Sequence, residues 1–141
     1  MNTTLLLAIA LGAPALKEKP RETTIVGEWE AQEIVVSGRP RKTRVEDTTW
    51  VFHADGSREI RRDGKVAFSG KFTVDAKSSP ATLDLDAKAN GEAVYLCIYK
   101  VDSDTMTLNV GWQKAPQPSE FTSPDGSQYT LYVFKRVKAK D

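Results

Sequence analysis

The chain holds one cysteine and one histidine, and these two scarcities exclude much chemistry at once. Cys97 has no partner for an internal disulfide, and in the apolar stretch AVYLCIY it reads as a small buried hydrophobe. A structural zinc site needs four Cys or His ligands, whereas the chain owns two such residues in all, so no metal is expected. His53, in FHADG, has no strand-turn-helix nucleophile elbow beside it, which leaves a Ser-His-Asp triad without a frame. Charge of one sign is missing as well. Twenty basic residues against 19 acidic leave +1, and such a balance sets up no long-range field for nucleic acid or an anionic membrane. There is no glycine-rich phosphate loop. No apolar run approaches the roughly 20 residues of a membrane span. No window after Thr24 sustains the 3.6-residue period of a helix.

What is present is an apolar period of two, cut by turn signals. IVGEWEAQEIVV ends at Ser37-Gly38-Arg39-Pro40, and DTTWVFHA runs into Asp55-Gly56, a dipeptide suited to the positive φ of a tight hairpin. SREIRR leads to a second such turn at Asp63-Gly64, followed by KVAFSGKFTVD. ATLDLDA closes at Asn90-Gly91, EAVYLCIYKV at DSD, TMTLNVGW at the loop QKAPQPSEFTSPDG, and SQYTLYVFKRV ends the series. These eight runs, mostly joined by loops too short for a crossover, predict an all-β antiparallel meander. Its apolar face is buried by closure into an eight-stranded barrel, with a two-sheet β-sandwich as the alternative.

Strand parity sets expectations for the interior. Val66, Phe68, Gly70, Phe72 and Val74 are expected on one face, with Gly70 marking a bend or bulge. Leu83 and Leu85 face in, opposite to Asp84 and Asp86; Met106, Leu108, Val110 and Trp112 alternate with threonines and Asn109. VYLCIY and YTLYVF are apolar on both faces, so their outer sides need a cover: the long loop, the N-terminal tether or a partner.

The N-terminal residues differ from the rest. Residues 1–15 carry an apolar run from Leu5 to Leu11 and then Ala13-Pro14-Ala15, a small-x-small cleavage pattern, and read as a secretory signal. The alternative is an unstructured tail, since no lysine or arginine precedes the run. No cysteine directly follows it, so a lipid-anchored form is not expected. The expected location is secreted or periplasmic. Residues 16–24 read as a polar tether, 25–137 as the domain and 138–141 as a tail.

Gly27-x-Trp29 on the first strand of such a meander resembles the lipocalin and calycin signature. That resemblance implies that Trp29 closes one end of the barrel against a basic residue of the last strand, here Arg136. Taken together, VGEWEAQEIVVSG, WVFHADG, FTVDAKSSPATLDL, CIYKVDSDTMTL and PSEFTSPDGSQYTLYVFKR resemble a group of uncharacterised lipocalin-like domains expanded in planctomycete bacteria. The likeness runs from Ile25 to Arg136. It departs at Gln117, where the group usually carries an arginine before the proline. The resemblance implies a fold and no reaction.

Three tempting patterns have simpler readings. DSDT lacks both the α/β frame of a phosphoryl-transfer aspartate pair and the oxygen ligands of a calcium loop, and a polar turn explains it. Asp84 and Asp86 share a solvated face rather than a cleft. RPRKTR and REIRRDGK alternate with acidic residues, lack interleaved aromatics, and read as charged hairpins.

No catalytic constellation and no cofactor are expected. The expected function is binding of a small, largely apolar molecule inside the barrel, with walls from Trp29, Trp50, Phe52, Phe68, Phe72, Leu83, Leu85, Met106 and Leu108. Tyr95 and Tyr99 are candidates for polar orientation. Plain core packing is the competing reading for every wall residue. The alternative function is a protein-interaction module with a filled core, acting through its outer surface and the 113–126 loop.

Overall fold

The computed structural model describes residues 24–86, 94–112 and 114–138. The signal reading of residues 1–15, most of the tether, the Asn90-Gly91 turn and most of the 138–141 tail lie outside the described residues. Nine strands follow in order: β1 (Gly27–Val36), β2 (Arg39–Pro40), β3 (Thr48–Phe52), β4 (Ser57–Arg62), β5 (Lys65–Asp75), β6 (Ala81–Asp86), β7 (Val94–Asp102), β8 (Thr105–Gly111) and β9 (Tyr129–Arg136). All pairings are antiparallel, and β1 also pairs with β9, so eight strands close into a barrel. The ninth, β2, is a short flap on the end of β1 that the alternation of apolar residues does not announce.

Closure requires β1 to serve two neighbours. Gly27 to Glu30 pair with β3, while Trp29 to Val36 pair with β9. A register shift between Ala31 and Glu33 leaves Gln32 as an extra residue. Such a bulge bends the strand and reverses its parity. Trp29 and Ala31 face inward before it, Ile34 faces inward after it, and Glu33 is turned out to solvent.

A second shift corrects the expected face of β5. Ile60 is opposite Phe68, but Arg61 is opposite Val66. One residue too many on β5 sends Val66 outward, where it is 55% exposed. The bulge therefore lies at this point and not at Gly70, which pairs in register with Arg58. Gly70 has another role. A Cβ there would stand 2.9 Å from Phe68 Cε2, so the missing side chain makes room for that ring.

The expected hairpin turns differ between the two Asp-Gly sites. Asp63 and Gly64 both have positive φ, at 54° and 77°, the signature of a tight two-residue hairpin. At Asp55-Gly56 only Gly56 does. There the Asp55 carboxylate accepts from the Ser57 amide at 2.9 Å and the Ser57 hydroxyl at 2.6 Å, and these bonds lower its pKa.

Trp29, Trp50, Phe52, Phe134, Leu83, Leu85, Met106, Leu108 and Val110 form one buried core. The outer side of β7 and β8 is covered by the long loop after Gly111. Asn109, wholly buried, donates to the carbonyls of Glu120 (2.7 Å) and Thr122 (2.8 Å). Gln117 donates to the Cys97 carbonyl at 3.0 Å, and the Lys100 ammonium lies 4.7 Å over the Phe121 ring. Ile98, on that outer face, is left 1% exposed.

Cys97 faces the interior and is wholly buried, and desolvation pushes its thiol pKa far up. The thiolate is the reactive form. Cys97 is therefore expected to resist Ellman's reagent in the native protein and to react fully in denaturant. Rapid native labelling would mean that β7 opens locally.

Candidate functional site

The two ends of the barrel are built differently. At one end the Trp29 indole is wholly buried and donates from Nε1 to the Ile25 carbonyl at 2.8 Å. The Arg136 guanidinium lies 4.3 Å over its ring. That guanidinium donates to the carbonyls of Thr24 (3.1 Å), Val26 (3.2 Å) and Ser103 (3.3 Å), tying the chain before β1 to the β7–β8 turn.

The other end is a cup of about 440 Å³. Its deeper wall is Ile34, Trp50, Ile60 and Tyr132, and its rim is Val36, Ser37, Arg41, Thr48, Arg62, Trp112, Ser127, Gln128 and Thr130. Residues on adjacent strands are brought level by the register: Trp50 opposite Ile60, Thr48 opposite Arg62, Ile34 opposite Tyr132, Val36 opposite Thr130. An outer recess of similar size continues from the rim, bordered by Arg41, Thr43, Arg44, Thr48 and Arg62.

Two short turns position the arginines. Ser37 and Gly38, with φ of 51° and 86°, fold β2 back on β1, and the Arg41 amide then donates to the Ile34 carbonyl at 2.8 Å. A Cβ on Gly38 would lie 2.5 Å from Asp125 Cα, so the hairpin fits against the long loop only as glycine. The Asp63-Gly64 turn sets Arg62 across the mouth. Arg44 joins the two segments, pairing with Asp63 at 2.9 Å and Asp47 at 3.4 Å.

Aromatic contacts make the floor rigid. Tyr132 stacks on Phe134 at 5.3 Å with planes 5° apart, and Trp50 tilts against both. Burial pushes the Tyr132 pKa up to about 12, although Arg41, Arg62 and Arg58 all pull it down. At neutral pH its hydroxyl is thus a neutral donor. At the rim Trp112 donates from Nε1 to Thr130 Oγ1 at 2.6 Å, and Tyr95 meets the Trp112 ring edge-on at 4.3 Å.

Arg58 stands apart from the other basic residues. It faces inward from β4, is 3% exposed, and its Cζ lies 4.7 Å over the Phe68 ring and 5.6 Å over the Trp50 ring. Nη2 donates to the Asp86 carbonyl at 2.7 Å, while Nε and Nη1 have no acceptor among the described residues. Desolvation is the main influence on its pKa and lowers it.

Of the nine expected wall residues, Trp50 borders the cup. Phe52, Leu83, Leu85, Met106 and Leu108 are sealed in the core, where a barrel of this girth has no room beside large side chains. Phe72 packs half-buried against Phe52, ring edge to face at 5.0 Å, and Phe68 is half-buried under Arg58. Trp29 lies at the opposite end. Tyr95 and Tyr99 face inward without bordering the cup. Arg41, Arg62, Thr48 and Thr130 escape the sequence reading because rim residues are polar. The alternating SREIRR did hold a signal: Arg58, Ile60 and Arg62 share the inward parity of their partners Phe52, Trp50 and Thr48.

Among the described residues, no group of three or more His, Cys, Asp or Glu is placed to hold a metal ion, and no helix is long and apolar enough to cross a membrane. His53 lies 3.6 Å from Glu59, whose carboxylate is also held by Arg61 at 2.7 Å. Fold and site together define an antiparallel β-barrel, packed at one end and cupped at the other. Comparisons with protein-family models, with curated proteins and with solved structures return no match to this chain.

Proposed function

We propose that this protein is a lipocalin-like binding barrel that holds one small molecule in the cup at its open end. The observation that carries this reading is the cup itself. It is a concave space of about 440 Å³ with an aromatic and aliphatic floor and hydroxyl and guanidinium groups around the rim. That size and lining fit a ligand site, which is concave, mostly apolar and supplied with a few polar groups for orientation. Taking a water's share of liquid as about 30 Å³, the space equals roughly fifteen waters, which suits a compact ligand. The rest of the interior is core. The long loop spends its contacts on β7 and β8, so the outer face of β7, part of what an interaction module would use, is covered. A secreted or periplasmic carrier is the setting that accords with the apolar segment Leu5 to Leu11.

The test is a fluorescence titration with neutral phenylnaphthylamine. Saturable one-to-one binding is expected, with quenching or energy transfer from Trp50 and Trp112, which border the cup. Val36→Trp, at a half-exposed rim position, should block binding while the melting temperature stays within a few degrees. A probe that fails to saturate, or that ignores the Val36 substitution, would sink the reading.

A further inference from the structure

We infer that the ligand of the cup is a small organic anion, with an apolar body against Trp50 and Tyr132 and its charged group between Arg41 and Arg62. This rests on the binding reading above and adds the ligand's chemical class. Three observations carry it. First, the described residues that border the cup include two arginines, Arg41 and Arg62, and no carboxylate, whereas Arg44 of the outer recess is already paired with Asp63 and Asp47 and adds no free charge. This is a local excess of positive charge in a chain whose net charge is only +1. Walls of low dielectric concentrate such a field in a cleft.

Second, the polarity is layered. The floor is apolar, and Thr48, Thr130 and Tyr132 border the same space as the two guanidinium groups, with the Thr48 hydroxyl donating to the Arg44 carbonyl at 3.3 Å. Tyr132 stays protonated at neutral pH and offers a donor to an anion. A neutral apolar ligand would use the floor and leave two arginines without a task. A carboxylate, sulfonate or phosphate on a flat or branched hydrocarbon uses both layers, because guanidinium forks match planar oxyanions.

Third, Arg58 is buried next to the floor with two donor atoms that find no acceptor among the described residues, against the same Trp50 ring that walls the cup. A buried cation with no ion pair among the described residues is costly. Its positive potential adds to that of the rim, as Arg58, Arg41 and Arg62 act in the same sense on Tyr132 in the wall of the cup.

The experiment compares two probes that differ by one charged group, anilinonaphthalene sulfonate and its neutral parent phenylnaphthylamine, on the full chain. At low salt the sulfonate is expected to bind at least about tenfold more tightly, and the gap should narrow as salt screens the rim. Arg41→Gln and Arg62→Gln should each weaken the sulfonate severalfold and leave the neutral probe within about twofold. Val36→Trp should abolish both signals, which excludes adsorption elsewhere on the surface. Equal affinity for the two probes, or equal losses for both in the Gln variants, would overturn the anion inference and leave the cup standing. Absence of saturable binding by either probe would overturn both.

Discussion

Trp29→Ala is expected to remove about 3–5 kcal/mol of unfolding free energy, the range for deleting a large buried aromatic side chain. The indole is wholly enclosed, so its loss leaves a cavity and not a rearranged surface. It also strips the Ile25 carbonyl of its donor and the Arg136 guanidinium of its ring. Domains of this kind have about 5–15 kcal/mol in total, so roughly a fifth or more of the stability is at stake. Urea unfolding followed by circular dichroism measures it, as a lower midpoint at unchanged slope. A loss under about 1.5 kcal/mol would show that the site collapses around the gap and that the packed end does not depend on the indole.

Arg58→Met should act in the opposite direction and stabilise the fold. In favour of the native arginine are two ring faces, about 2 kcal/mol each when desolvated, and one charge-assisted hydrogen bond of about 1.5–3 kcal/mol. Against it stand a desolvation penalty of several kcal/mol for the ion and two donors without acceptors among the described residues, about 1–3 kcal/mol each. The costs win. Methionine fills much of the same length without charge, and a gain of about 1–3 kcal/mol is expected, in line with other buried ions replaced by apolar residues. For a domain of this size that is several degrees in melting temperature. Arg58→Ala should instead lower stability, since it leaves a void beneath Trp50 and Phe68. If Arg58→Met proves destabilising, the rings and the Asp86 carbonyl outweigh the penalty, and the arginine is structural. If it stabilises while weakening the sulfonate probe, the charge is retained for binding at the expense of the fold.

Much of the barrel was legible in the sequence. Strict alternation in ATLDLDA and TMTLNVGW, and the Asp63-Gly64 turn, are local signals, and the structure agrees with them. What could not be read are features decided by pairing. Gln32 is extra only because β1 must bend between two neighbours, and that bulge turns Glu33 out of a position that unbroken alternation would bury. Val66 is exposed for the same kind of reason. The two-residue β2 exists because β1 offers it an edge. The cup was missed because large inward aromatic residues mark where a barrel is full, not where it is open. RPRKTR and REIRRDGK read as solvated hairpins one at a time, yet the fold brings Arg41 and Arg62 to the same rim.

The pairing of β1 with β9 has a consequence for synthesis. The strand made first in the domain finds its last partner only when the strand made last has emerged. Until then β1 and β8 are open edges, the kind of surface that recruits a neighbouring chain. Pairings between distant segments are slow to form because the intervening chain must first be ordered. A nascent chain stalled before Tyr129 is therefore more than an incomplete barrel: it is a sticky half-product. A cell that makes this protein must shelter it through that interval, or finish translation before β1 meets another copy of itself.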